Sequence, residues 1–514
     1  MKKTLAMLLT AMMLLSLTAC GSSSSSTSSS TSSSEDSAST SAGESTAEET
    51  TSGELVTVTI VMPTMNNIPA DSDVADVENA LSEYIQGLGY NININMEMAA
   101  LSDYTTTMNL RLAGGEVLDI IYTGALSTAV TNGYLVNLDE YLDDELAETM
   151  EVIGDWSLCG TIDGSVYGIP AYKGLSLDYK YIYNEEYFAD IDMSGVSSVN
   201  DLDDIFAQFK ALYPDEYPAT DGYNTLLALF SEEDHTAAVG TYLATVGDST
   251  ELVSLYSTEA YKNACEKTYE WRQNGYVDPE GSAQTLSHDA LSLSGYSKGV
   301  IMGHAYSVET IEEMYNTNNT YGGTFKAISI AQTSLTSNTL TYGIAYTSEN
   351  PSEAAQVLNL IWTDEYVMST LIYGLEGISW EWNEDQTSIQ YPDGLGLDSV
   401  PYTALYSCGA FGNQFLLYGF DGNTSEEDKV FMKELIDEAY VAPLFGFTPS
   451  SDNVSTQVAA VSNVVSQYDS ALRYGDVDPD VYLPQFLEAL EAAGIQDIID
   501  EYQAQADAWV AEYK

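Results

Sequence analysis

Residues 55–122 alternate two kinds of apolar spacing, and that alternation restricts the fold more than any other property of the chain. Leu55-Val56-Thr57-Val58-Thr59-Ile60-Val61-Met62 is apolar or β-branched throughout, as a strand covered on both faces requires. Within residues 73–86, Val74, Val77, Leu81 and Ile85 recur at helical spacing and predict a helix with one apolar face. Asn91-Ile92-Asn93-Ile94-Asn95-Met96 alternates polar and apolar residues as a second strand. Ser102-Asp103-Tyr104 opens another helix, with Ser102 as N-cap and Leu110 and Leu112 further along, and Leu118-Asp119-Ile120-Ile121-Tyr122 is a third strand. Such alternation builds a mostly parallel sheet covered by helices on both faces. Ligands of these sheets sit beyond the carboxyl ends of the strands. The expected ligand edge is Pro63-Thr64-Met65-Asn66 and Tyr122-Thr123-Gly124, and Tyr122 is a candidate on this rule alone.

The N-terminal segment is built for export. Lys2 and Lys3 precede an apolar stretch, residues 5–15, too short to cross a bilayer comfortably. Leu17-Thr18-Ala19-Cys20 resembles the bacterial lipobox, which implies that residues 1–19 are a signal peptide and that Cys20 carries lipid. An ordinary secretory signal with an incidental cysteine is the alternative. Residues 21–54 are almost wholly Ser, Thr, Ala, Gly and acids, so they bury too little apolar surface to offset the entropy of ordering. As a flexible coil they span roughly 30 Å. Residues 20–54 are therefore expected to be a lipidated tether.

The chain carries 15 basic and 78 acidic residues, a formal net charge of −63. Such a body repels nucleic acid and anionic lipid alike, so the lipid anchor alone is expected to hold it at a membrane. The acids otherwise read as a solvated surface. After Cys20 only Cys159, Cys265 and Cys408 remain, an odd number, and His235, His288 and His304 are widely spaced. Neither a zinc site nor a cofactor is expected. Asp476-Val477-Asp478-Pro479-Asp480 begins like a calcium loop, but Val481 stands where the turn glycine belongs and Leu487 where the bidentate glutamate belongs, leaving a loop. Gly295-Tyr296-Ser297-Lys298-Gly299 fits G-x-S-x-G. A nucleophile elbow needs its strand before the serine, whereas the strand-like Val300-Ile301-Met302 follows it. No catalytic residue is expected.

Asn109-Leu110-Arg111-Leu112-Ala113-Gly114-Gly115-Glu116-Val117-Leu118-Asp119-Ile120 resembles the signature of bacterial extracellular solute-binding proteins of the carbohydrate class. There a helix ending in small-Gly-Glu leads into a strand begun by Asp, and Gly114 and Gly115 fit its C-cap. Gly133-Tyr134-Leu135-Val136-Asn137-Leu138, Gly164-Ser165-Val166-Tyr167-Gly168-Ile169-Pro170-Ala171-Tyr172 and Tyr181-Ile182-Tyr183-Asn184 are similar to later segments of that family, as are Gly299-Val300-Ile301-Met302 and the stretch from Ser348 to Ala355. Tyr373-Gly374-Leu375-Glu376-Gly377 and Gly412-Asn413-Gln414-Phe415 resemble the last region of a lipoprotein branch, from which Ile378 and Trp380 depart.

The resemblance implies an α/β fold: a two-lobed, type II periplasmic-binding-protein-like clamp, each lobe a mostly parallel sheet flanked by helices, with a C-terminal extension. Residues 55–171 and 326–350 would form the N-terminal lobe, and 172–325 and 351–514 the C-terminal lobe. The clamp would act as a monomer, capture a sugar or oligosaccharide, close by hinge motion and deliver the solute to an ABC permease. Alignment to the family marks Tyr172 and Tyr306, and the C-terminal motifs mark Glu376, Trp380, Trp382 and Asn413. Aromatics would stack on sugar faces while carboxylates and amides bond hydroxyls. A surface-anchored glycan hydrolase and an adhesive or scaffold lipoprotein are the alternatives, and neither has a motif here.

Overall fold

A computed structural model describes residues 55–65, 68–220, 223–278, 288–335, 340–405, 411–421 and 424–514. Cys20 with the whole of 1–54, Asn66 and Cys408 lie outside them.

In chain order the strands are β1 (Val56–Thr64), β2 (Ile92–Ala100), β3 (Ile120–Tyr122), the hairpin β4 (Thr161–Ile162) and β5 (Ser165–Val166), β6 (Ile169–Pro170), and β7 (Asp178–Asn184). They continue with β8 (Ala237–Val239), β9 (Leu243–Thr245), β10 (Val253–Ser254), β11 (Gly299–His304), β12 (Phe325–Gln332), β13 (Thr341–Ile344), β14 (Glu381–Trp382) and β15 (Ile389–Gln390). The first sheet runs β2-β1-β3-β13-β6. β1 lies parallel to both β2 and β3, which is why Val58, Ile60, Val61 and Met62 are all buried. β2 is an edge strand and buries only alternate residues, Ile92, Ile94 and Met96. β13 and β6 close the sheet antiparallel.

The first helix, Asp71–Gly87, buries Val77, Leu81 and Ile85 as its spacing predicts. The second, Leu101–Ala113, departs from expectation. β2 runs directly into it, so its N-cap is Ala100 and Ser102 falls in the first turn without a capping role. Its buried stripe is Tyr104, Met108 and Leu112, an i, i+4, i+8 series, whereas Leu110 is 72% exposed. Past the helix end, Gly115 takes φ +73° and lets the Glu116 amide return to the Arg111 carbonyl at 3.1 Å. A side chain in that left-handed conformation is strained, so glycine is favoured there. The Arg111 guanidinium then binds Glu116 at 2.6 Å and Glu97 at 2.7 Å.

The second lobe is built on β11-β7-β12, and here both pairings are antiparallel, not mostly parallel as expected. β11 extends two residues beyond the predicted Val300-Ile301-Met302 and follows Ser297, which is buried. No strand-to-helix elbow carries that serine.

The lobe boundaries also shift. β12 pairs with β7, so residues 326–332 belong to the second lobe and not the first. The helices Pro351–Thr363 and Glu365–Tyr373 pack into the first core through Ala354, Leu358, Trp362, Met368 and Ile372. Leu444 and the chain from Phe447 onward join the second core through Phe447, Val461, Phe486 and Ile498. The reason is composition: Pro351–Thr363 buries eight of its residues, too many for a helix lying on one outer face. The chain crosses between the lobes near residues 171–178, 332–341 and 438–444, and a Leu335–Val441 bridge pairs two of those crossings. Cys159 and Cys265 are buried in different cores.

Candidate functional site

β11 ends at His304, and two residues later Tyr306 lies half-buried with its hydroxyl 3.2 Å from Thr424 Oγ1. Helices begin on both sides of this contact. Ser307 Oγ accepts the Thr310 amide at the start of Val308–Asn318, and Ser425 with Asp428 forms a reciprocal capping box at the start of Glu426–Glu438. Asp428, 1% exposed, ties the two ends together by accepting from Thr310 Oγ1 at 2.7 Å and from the Ser425 amide at 2.9 Å.

Beside this junction lies a cavity of about 490 Å3. Ser307, Glu309, Thr310 and Met314 line it from the second lobe, and Ser388, Phe420 and Asp421 from chain packed on the first core. Hydroxyls and carboxylates set around Met314 and Phe420 suit a ligand with both hydroxyl edges and apolar faces.

Tyr172 lies at the first crossing. Its backbone bridges to the Asn413 strand: the Tyr172 amide donates to Gly412 O at 2.9 Å, and the Gln414 amide donates to Tyr172 O at 2.8 Å. Its half-buried ring meets Phe415 at 5.0 Å and Trp156 at 6.3 Å, both edgewise. Burial pushes its phenol pKa up, and the Asp437 charge adds to the effect.

Asn413 is brought against Tyr172, but both ends of its amide are engaged within the protein. It is 4% exposed, donates to Trp362 O at 2.9 Å and accepts the Phe415 amide at 3.1 Å. Trp380 is likewise buried, with Nε1 donating to Gly374 O at 3.0 Å. Trp382 is half-buried 5.6 Å from Trp380 and 5.1 Å from Tyr418. Exposed Glu376 sits in the turn that bridges back to Trp380. Tyr122 stands apart from all of these, between Tyr104 at 5.8 Å and Tyr342 at 5.7 Å. The cavity it lines holds about 30 Å3, room for a water but not a sugar ring.

A second inter-lobe cavity, of about 450 Å3, has no counterpart among the sequence candidates. Ser127 and Thr131 of the short helix Leu126–Thr131 and the β4–β5 turn form one wall. Asn453 and the face of the terminal helix, Ile495–Tyr513, that carries Glu501, Gln505 and Trp509 form the other. The i, i+4, i+8 spacing of those last three is a helix stripe visible in the sequence.

Over residues 80–372 the chain matches the model of the bacterial extracellular solute-binding proteins. The protein belongs to that family. As an extracellular solute-binding protein it works outside the cytoplasm and binds its solute without transforming it. Residues 443–511 match a further model, a domain of unknown function, which contributes the Asn453–Trp509 wall of the second cavity. A carbohydrate ABC transporter substrate-binding protein of Streptococcus pneumoniae is 25% identical over 431 residues, covering 82% of this chain and 85% of the relative. Among solved structures, the N-glycan transport solute-binding protein NgtS of S. pneumoniae superimposes with a TM-score of 0.73 at 21% identity, over 89% of this chain and 100% of NgtS. The S. pneumoniae ABC-transporter substrate-binding protein FusA, in complex with kestose, does so at 0.58 and 12%, over 89% of this chain and 100% of FusA. Both likenesses concern the fold.

Proposed function

We propose that this solute-binding protein captures an oligosaccharide between its lobes, as a monomer held to the membrane by lipid on Cys20, and passes it to an ABC permease. The observation that carries the reading is the cavity that begins at Ser307, next in the chain to Tyr306, where hydroxyls, carboxylates and apolar side chains from both lobes face one space. The carbohydrate name of the relative and the sugar held by FusA point to the same ligand class. In this reading Tyr306 stacks on a sugar ring. Tyr172 and Trp382 offer further half-buried faces, Glu376 an exposed carboxylate, and Asn413, Trp380 and Tyr122 support them from within the fold.

Calorimetry on the body from residue 55 tests it, with Man1GlcNAc, Man5GlcNAc and kestose as probes, sugars seen on NgtS and FusA, and amino acids and peptides as controls. At 100 times its dissociation constant a bound sugar adds about 2.7 kcal/mol to stability, read as a rise in melting temperature. Tyr306→Ala is expected to weaken binding roughly tenfold, in line with the ~1 kcal/mol of an aromatic contact. Tyr306→Phe, which keeps the ring and loses the hydroxyl's contact with Thr424, should stay near wild type. Binding of peptides but no sugar, or an unchanged affinity in Tyr306→Ala, overturns the assignment.

A further inference from the structure

We propose that the cavity under the terminal helix is a second sugar subsite, specific for a neutral ring, in which the Trp509 indole N–H donates to a ligand hydroxyl. The inference rests on the sugar-capture reading and adds to it a place, a donor and a charge preference. Trp509 Nε1 is buried and has no hydrogen-bond acceptor among the described residues, although its ring is held by Phe447 at 6.0 Å and Tyr513 at 5.4 Å. Indole N–H is donor only, and buried donors in folded proteins are as a rule satisfied. This one lines a space large enough for a ring, so an entering hydroxyl oxygen supplies what the protein does not.

The acceptors opposite are already fixed. Glu501 Oε1 receives Asn453 Nδ2 at 2.9 Å and Gln505 Nε2 at 2.8 Å. Those bonds hold the Glu501 carboxyl below its usual range, so it is ionised and keeps its second oxygen for a ligand hydroxyl. Gln505 is itself pinned, accepting the Ser450 amide at 2.8 Å and donating to Ser450 O at 2.9 Å. A polar wall set before the ligand arrives loses little freedom on binding.

Charge selects the ligand class. Asp163, Asp452, Glu501 and Glu512 line the cavity with no Lys or Arg among its lining residues; the Lys514 ammonium lies 5.6 Å from the Trp509 ring centre, one cation against four carboxylates, so an anionic sugar is repelled. Among the described residues no group of three or more His, Cys, Asp or Glu could hold a metal ion that would reverse this. The two walls belong to different lobes, and a 3.4 Å bond from Thr131 Oγ1 to Asp452 Oδ2 spans the cavity between them. A ring held between them touches both lobes at once and favours their approach.

Indole N–H resonances test this directly, since the chain has six tryptophans and Trp509→Phe identifies its own signal by removing it. On titration with Man5GlcNAc or kestose, the Trp509 signal is expected to move and Trp509→Phe and Glu501→Gln to bind three- to tenfold more weakly, while an oligouronate leaves the signal in place. Sugar binding seen by calorimetry with an unmoved Trp509 signal and unchanged variants overturns the subsite and leaves the capture reading standing. A Trp509 signal that moves while both variants bind as wild type also overturns it, since lobe movement alone explains the shift. Absence of binding to every sugar overturns both.

Discussion

Asp119, 2% exposed just before β3, receives the Thr59 amide on one carboxylate oxygen at 2.8 Å and the Ser348 hydroxyl on the other at 2.5 Å. One side chain thus joins β1, β3 and the segment returning from the second lobe. Asp119→Ala leaves a buried strand amide without its acceptor and is expected to destabilise the protein by about 1–3 kcal/mol, measured by denaturant unfolding. Burial also raises the Asp119 pKa, against the opposing pull of its two hydrogen bonds. The folded state therefore binds this proton more tightly than the unfolded chain. Its contribution to stability is full below the ordinary aspartate value near ~4 and is lost as pH rises through the raised one. The stability of wild type relative to Asp119→Asn should fall as pH rises above about 4, and a flat difference refutes the assignment. The place of Asp119 at the head of a strand was legible because its motif is local, with Gly115, Glu116 and Arg111 within a few positions of it, whereas its partners Thr59 and Ser348, 60 and 229 residues away, were not. The engagement of Asn413 was not, since its acceptor is the Trp362 carbonyl, 51 residues away.

The helices and strands of residues 55–122 were legible to within a few residues, because each buries a face at its own period. The misplaced cap at Ser102 reflects a junction without a loop, which periodicity does not mark. Asp478 shows the reverse error. Read in sequence as part of a loop, it is the N-cap of Pro479–Ala493, its carboxylate accepting the Asp480 amide at 3.0 Å with Pro479 at the first helical position. Asp478→Ala should cost about 1 kcal/mol of stability, and Asp478→Asn or Asp478→Ser much less, in thermal unfolding. Equal losses in all three variants would assign the residue another role. The antiparallel second sheet was hidden because β7 finds β11 and β12 only after more than a hundred intervening residues. The Glu501, Gln505 and Trp509 stripe was hidden for a different reason: its opposite wall comes from residues 127–163, and a helix face alone does not say what it confronts.

At the scale of the whole molecule, 78 acids against 15 bases make the folded body repel an anionic membrane surface, and residues 21–54 add six acids and no Lys or Arg. In the proposed reading attachment therefore rests on Cys20. Cys20→Ala is expected to release the protein from the membrane fraction or leave it uncleaved, and full retention after signal cleavage would refute the lipid anchor. The division of the chain between its lobes was not legible, because the helices after residue 351 carry no mark of which core they enter until both cores exist. That division has a kinetic side. The first core draws on residues from Val58 to Phe445 and the second on residues from Tyr181 to Ala506, so the first lacks members until residue 445 has been made and the second until residue 506. Contacts so distant in sequence form late and slowly. The nascent polypeptide stays open for almost its whole length, the condition in which an export channel can thread it.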